Sequence, residues 1–416
     1  MPKALGRPDF AQPRDSMMDM EPSARERQFG SAVCHGSMMT LAISLNLIAV
    51  CLPILSHGAG LGVALTNERL GRIAAMAFVG MVAGLLLSGP AANRLPAKWF
   101  TVGGNLLIVS GLVRLGTAET YGAVLVAVAM MGFGGGILDM ILSPIICALE
   151  PGRRAQAMNW LHSFYCIGAV MTTLGASVAF ALSCSWRELA LLMAIPPAAV
   201  AMMFVFMSHP ILASGRARRS GLRELLRERC FLLTLSVIFL AGAAEMGIAQ
   251  WLPAHAVMEL GMSPWMGGTL LLAFFVAMAL GRMSAGMIRG RVPIRRLMAW
   301  SGGLTAIFLF LAGTCPVAPV SLAASVASGL TVSCLWPSAL GAAADRFPSA
   351  KTSMFGVLSA VGNLGGIFMP WAIGMIADSG TIALGIAASA SCPILMLLAL
   401  RAMGGEMGKP AADAVA

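Results

Sequence analysis

Two carboxylates stand where lipid would make them costly. Of the eighteen acidic residues, Asp139 and Glu245 lie well inside long apolar runs, in GGGILDMILSP and FLAGAAEMGIAQWLP. An ionised carboxyl removed from water needs a partner or a wet cavity. Asp139 falls about ten residues from the nearer end of its run, roughly 15 Å deep if the run is helical, close to a bilayer midplane. There it can exchange a proton or hold a hydroxyl-bearing solute, or it can serve as a fixed hydrogen bond between helices. Ser143 follows one turn later on the same face, and Asn159 and His162 share a face in the next run, so the four can form a polar wall. A neutral imidazole offers one donor and one acceptor, which suits hydroxyl recognition, proton transfer or a satisfied contact between helices.

Glu245 lies roughly fourteen residues into its run, which places it in the outer half of a membrane. Gly242 and Gly247 beside it permit a kink that exposes carbonyls to a cavity; plain helix-to-helix adhesion is the competing role. Gln250, Trp251 and His255 follow at the outer end of that run, where Trp either belongs to an interfacial belt or offers a platform for a sugar ring. Trp336 and Asn363, deep in later runs, are further cavity candidates. Arg282 closes a run in ALGRMSAGMIRGR, where it either snorkels to head groups or forms a gating ion pair.

These residues need a scaffold, and composition supplies its class. The 416 residues are 58% hydrophobic and 11% charged, with a mean hydropathy of +0.83, whereas a soluble domain is about a quarter charged. Runs long enough to cross a hydrocarbon core as helices fall at 32–55, 71–92, 100–116, 122–148, 159–183, 188–208, 231–253, 264–286, 296–314, 318–344, 353–376 and 381–402. The expectation is an all-α membrane protein of twelve spans in two pseudo-symmetric six-helix bundles. It divides as a tail over 1–30, a bundle over 31–208, a basic linker over 209–230, a second bundle over 231–402 and a tail over 403–416.

Orientation follows from the basic residues, which translocated short loops lack. With both termini in the cytoplasm of a cell's inner membrane, 24 of the 28 Lys and Arg fall on the cytoplasmic side, leaving Arg69, Arg72, Arg114 and Arg187 outside. The net charge of +10 therefore reflects loops between spans and not a nucleic-acid surface. Nine scattered cysteines without a CxxC pair read as packing residues, not a metal or disulfide framework. The first thirty residues lack the apolar segment of a signal peptide and are expected to be a cytoplasmic tail. The linker's Leu222, Leu225 and Leu226 recur at helical spacing beside Arg223, Arg227 and Arg229, as in a helix lying on an anionic leaflet or simply a solvated connection. No GxxxxGK[ST], HExxH or GxSxG occurs, so neither an ATP-driven pump nor a recognisable hydrolase is indicated.

Internal repetition supports the division into halves. GILDMILSPIICALEPGRRAQAMNWLHSFYCIGA and LTVSCLWPSALGAAADRFPSAKTSMFGVLSAVGN share an inner-half Pro (Pro144, Pro337), an acid at the inner end (Glu150, Asp345), a basic loop and a small-residue helix. Related halves imply a site between them near the midplane, approached alternately from each side.

With these spans and motifs the chain resembles the major facilitator superfamily over roughly residues 30–402. GPAANRLPAK (89–98) is similar to that family's gating loop between spans two and three, with Asn93 in place of its Asp, Pro96 in place of its Gly, and Arg94 retained. GFGGGILDMILSP with RRAQAMNWLHSFYCIGA resembles the fucose and glucose symporter branch: Asp139 matches its acid, Ser143 replaces its Asn, and Asn159, Phe164 and Gly168 match the following helix. GAAEMGIAQWLP looks like that branch's span-seven pattern, while the acid of its first span is missing. The resemblance implies secondary transport of a sugar or polyol with a proton, or a sodium ion, as coupling ion and no cofactor. The protein is expected to be a monomer whose partners are the solute and the bilayer. An exporter or carrier of another organic solute, whether organic acid or drug-like, is the alternative within transport, and a non-transporting sensor the alternative outside it.

Overall fold

The computed structural model describes residues 23–404 apart from 59, 62–63, 93–94, 151–153, 208, 210–224, 289–291 and 348–350. The described residues form twelve helices long and apolar enough to cross a membrane. Spans one to six are Ala24–Ser56, Asn67–Gly89, Ala97–Gly116, Tyr121–Leu149, Trp160–Ala181 and Trp186–Phe206. Spans seven to twelve are Arg229–Glu259, Pro264–Ala285, Ile294–Thr314, Ala318–Ala343, Gly356–Ser379 and Ile382–Ala402. An even number of crossings puts both ends of the chain on one side, the terminal face. The gating loop's Asn93 and Arg94, and Leu222 and Arg223 of the linker, lie outside the described residues.

Span ends follow local chemistry. Span one begins well before the expected residue 32 because Ser23 and Glu26 form a reciprocal capping box, each side chain accepting the other's backbone N–H. Span seven runs on past Pro253 through a wider turn at His255–Glu259, so it is longer than the hydrophobic run 231–253 implied. Spans six, ten and twelve are each interrupted, at residues 193–194, 333–334 and 390. Each break precedes a proline (Pro196, Pro337, Pro393) that cannot donate the bond one turn back. The outer surface is apolar, with Leu182, Phe206, Met283 and Phe310 exposed, as lipid contact requires.

The two halves are held together at the face opposite the termini. There the Asp378 carboxylate, at the end of span eleven, accepts the backbone N–H groups of Asn67 and Glu68 at 2.7 and 3.0 Å, at the first turn of span two. Trp371 Nε1 donates to Glu68 at 2.9 Å, and Glu68 also pairs with Arg72. The helices touch backbone to backbone: a Cβ at Gly71 would lie 2.6 Å from the Pro370 carbonyl oxygen. Spans five and eight meet nearby through Ser177 and Gly268. On the terminal face Lys98 Nζ donates to the Val205 carbonyl at 2.7 Å, and Thr101 Oγ1 lies 2.9 Å from His209 Nε2. Partial burial holds the His209 imidazole below its ordinary value of 6.5.

Candidate functional site

Arg282 organises the centre of the molecule. From span eight its Nη2 donates to Glu245 Oε1 of span seven at 3.1 Å, its Nη1 to Cys166 Sγ of span five at 3.1 Å, and its Nε to the Ser333 carbonyl of span ten at 3.2 Å. The last bond has a cause in the sequence. Helical bonding would give the Ser333 carbonyl the N–H of residue 337, which is proline, so that oxygen is free for the guanidinium. Arg282 therefore does not snorkel: although it stands near the end of span eight, three acceptors, one of them a carboxylate, hold its head group beside Glu245 at the middle of span seven. Glu245 also shifts from its expected place in the outer half. It sits at the middle of span seven, because that helix extends to Glu259. The Arg282 side chain is 26% exposed and that of Glu245 only 4%, so a solute reaches the cation first.

Of the four residues expected to form a polar wall, Asp139 and His162 come within electrostatic reach of each other. The two interact electrostatically across spans four and five, and His162 also feels Arg282 from the other half. Asp139 and Ser143 are partly exposed, and His162 is reached by solvent although helices crowd it. Asn159 falls on the helix Arg154–Ala181, but its side chain lies outside the described residues. Beside this wall Asn46 of span one donates to the Ala42 carbonyl at 2.8 Å and to Tyr165 Oη at 3.3 Å. Tyr165 lies within electrostatic reach of both Glu245 and Arg282.

The remaining candidates divide into buried groups with structural partners and one, Trp336, that is partly exposed. Trp251 is fully buried, and its indole donates to the Pro370 carbonyl at 2.8 Å, so it belongs neither to an interfacial belt nor to a solute platform. The lengthened span seven carries it inside. Gln250 donates to the Leu45 carbonyl at 2.9 Å and joins the halves, while its own Oε1 is buried without a partner among the described residues. His255 is 2.8 Å from Glu259, whose carboxylate also accepts the N–H groups of Ile382 and Ala383. Asn363 is spent on the Ser359 carbonyl of its own helix at 2.9 Å. Trp336 is partly exposed beside the break in span ten. Among the described residues no group of three or more His, Cys, Asp or Glu can hold a metal.

Four participants had no flag in the sequence as read. Cys166 passed as a packing residue, Ser333 acts through its backbone, and Asn46 and Tyr165 are polar groups inside apolar runs. Pro337 was the available signal for Ser333, since a proline in a helical run orphans the carbonyl four residues earlier.

Twelve spans in two bundles, a central ion pair and a broken helix beside it define a secondary transporter fold. The chain belongs to the major facilitator superfamily, whose profile matches residues 34–307 and 259–413. It is 26% identical over 362 residues to the 3-(3-hydroxy-phenyl)propionate transporter of Escherichia coli, covering 82% of this chain and 86% of the relative. It is 23% identical to the cis,cis-muconate transport protein of Acinetobacter baylyi, covering 77% and 81%. Among solved structures, a bacterial homologue of the lysosomal transporter Spinster superposes with a TM-score of 0.78 at 15% identity, covering 94% of this chain and all of that one. The branch expected from the sequence finds support only at the level of fold. The Escherichia coli fucose:proton symporter shares the fold, with a TM-score of 0.61 at 17% identity over 91% of this chain and 99% of that one. Sequence similarity extends to two carriers named for organic acids and to a fosmidomycin resistance protein of Escherichia coli, 25% identical over 326 residues.

Proposed function

We propose that the chain carries a small organic carboxylate together with a proton across a cell's inner membrane, as a monomer with its terminal face in the cytoplasm. The observation that carries this reading is the guanidinium of Arg282, part-exposed between the halves, with Glu245 sealed behind it. A planar guanidinium binds carboxylates through paired N–H groups. Separating it from Glu245 with nothing in return would cost about 3–5 kcal/mol. A substrate carboxylate that takes Glu245's place, while Glu245 takes a proton, leaves no charge unpaired. That exchange makes proton and anion enter together and gives the carrier its coupling.

Asp139 and His162, nearer the solvent, supply the path by which the proton arrives. Their place beside Arg282 supports the coupling role expected of Asp139. The relatives named for hydroxyphenylpropionate and muconate support a carboxylate over the sugar or polyol first expected. The basic residues outside the spans support the orientation, although Arg282 leaves that count. In proteoliposomes under an inward proton gradient, labelled 3-(3-hydroxyphenyl)propionate should accumulate. Arg282→Gln should weaken its binding about 10- to 100-fold, the value of hydrogen bonds to a charged group. Uptake of xylose or fucose, with no carboxylate accumulated, would overturn the reading; no flux of either kind would return the sensor alternative.

A further inference from the structure

We infer that Trp336 sets the specificity of this site, and that the carboxylate it admits carries a flat, conjugated or aromatic body. The inference rests on the carboxylate reading and goes on to the part of the solute that Arg282 does not touch.

Glu245 and Gly242 are three residues apart on span seven and so share a face, with Gly242 one turn, about 5 Å, nearer the terminal face. At Gly242 the span-seven backbone meets the Trp336 ring: a Cβ there would lie 2.8 Å from Cζ3 of the indole. A Cβ at Gly362 of span eleven would run into the same edge at Cη2 and Cζ3. The indole edge is therefore seated against two bare backbones. A side chain at Gly362 would occupy the ring's place, and one at Gly242 would meet first the Gly362 carbonyl oxygen, 2.3 Å away, and then the ring.

The same tryptophan is tied to the head-group site from its other side. It follows by three residues the Ser333 carbonyl that accepts from Arg282 Nε, and Pro337 stiffens the chain directly after it. Trp336 thus cannot swing far without disturbing the guanidinium. It is partly exposed, and its indole N–H makes no hydrogen bond to a described residue. The result is a rigid aromatic wall one turn below a cation. A solute whose carboxylate reaches Arg282 lays the atoms three or four bonds further along, about 5 Å away, against this wall. Aromatic faces favour flat partners over puckered ones of equal apolar area, by about 3- to 10-fold.

The test compares two acids that differ only in the ring. Binding of labelled 3-phenylpropionate to the purified protein is displaced by unlabelled 3-phenylpropionate or by 3-cyclohexylpropionate. The saturated acid has the larger apolar surface, so burial alone favours it. The expected result is that the phenyl acid binds about 3- to 10-fold tighter, and that Trp336→Leu brings the ratio near one while Trp336→Phe retains most of it. Gly362→Ala, which displaces the ring without removing it, should lower the ratio in the same direction and covers the case in which Trp336→Leu does not fold. A wild-type ratio of one or below, or a ratio unchanged in both Trp336→Leu and Gly362→Ala, overturns the inference while the carboxylate reading stands. If 3-phenylpropionamide, which has no charge, binds as well as either acid, the carboxylate reading itself fails and the inference falls with it.

Discussion

Asp378→Asn should let the halves part at the face opposite the termini. The substitution keeps the size of the side chain and removes its charge. In the wild type both carboxylate oxygens accept N–H groups at the start of span two, at 2.7 and 3.0 Å. A carboxylate there is favoured both by hydrogen bonding and by the partial positive charge of the helix end. Asp378 is exposed, so water recovers part of what is lost, and asparagine keeps one acceptor. A loss of about 1 kcal/mol is therefore expected, which is about fivefold in the equilibrium between the closed and parted arrangements. The family's gating loop on the terminal face has Asn93 where an acid is usual, so no matching charge there is gained or lost.

Hydrogen exchange in proteoliposomes gives the readout, since amide exchange follows the population of open states. Faster exchange is expected at residues 67–70, and also where spans five and eight meet at Ser177 and Gly268. The second site touches neither Asp378 nor span two, so it speeds up only if the halves separate. Acceleration confined to residues 67–70 would show that Asp378 is merely a helix cap and would refute the reasoning.

Two further outcomes follow from the centre and the edge of the molecule. Asp139→Asn should abolish accumulation driven by a proton gradient while leaving expression and carboxylate exchange across a membrane without a gradient intact; loss of exchange as well would place Asp139 in solute binding instead. His209 is held below its ordinary value by burial, so the unfolded junction binds more protons than the folded one as pH falls through about 6.5. Packing of residues 98–101 against 205–209 should therefore be firm above that pH and loosen below it. Exchange of those amides at pH 8 and pH 5.5 checks this, and His209→Gln should remove the difference.

The architecture was legible because lipid enforces it. A helix that must satisfy its backbone internally over a fixed thickness leaves an apolar run that composition alone reveals, so all but the start of span one and the end of span seven fell within a few residues of their places. What the runs did not show was where they stop. Span seven continues past Pro253, and this one misjudged end put Glu245 too far out and Trp251 in a belt it does not occupy. Asp139, His162 and Arg282 were identifiable as polar groups in costly surroundings. Their partners were not, since Cys166, Tyr165 and a backbone oxygen at Ser333 carry no cost that a sequence displays. Substrate class was obscured for a related reason: the motif around Asp139 lies on one half of the chain, whereas Arg282 and Trp336, on which the proposed carboxylate reading rests, lie on the other.

The proline that frees the Ser333 oxygen has a consequence for the working cycle. While Arg282 donates to it, that oxygen is dry and satisfied. If the proposed exchange at Nη2 turns the guanidinium far enough to break its Nε bond as well, a lone-pair acceptor is uncovered in a region of low polarity, and a water molecule must arrive to take the bond. Each turnover then admits and expels solvent at a fixed place in the helix, so the carrier's rate should slow as osmolytes lower water activity, even with its anion and the proton gradient held constant.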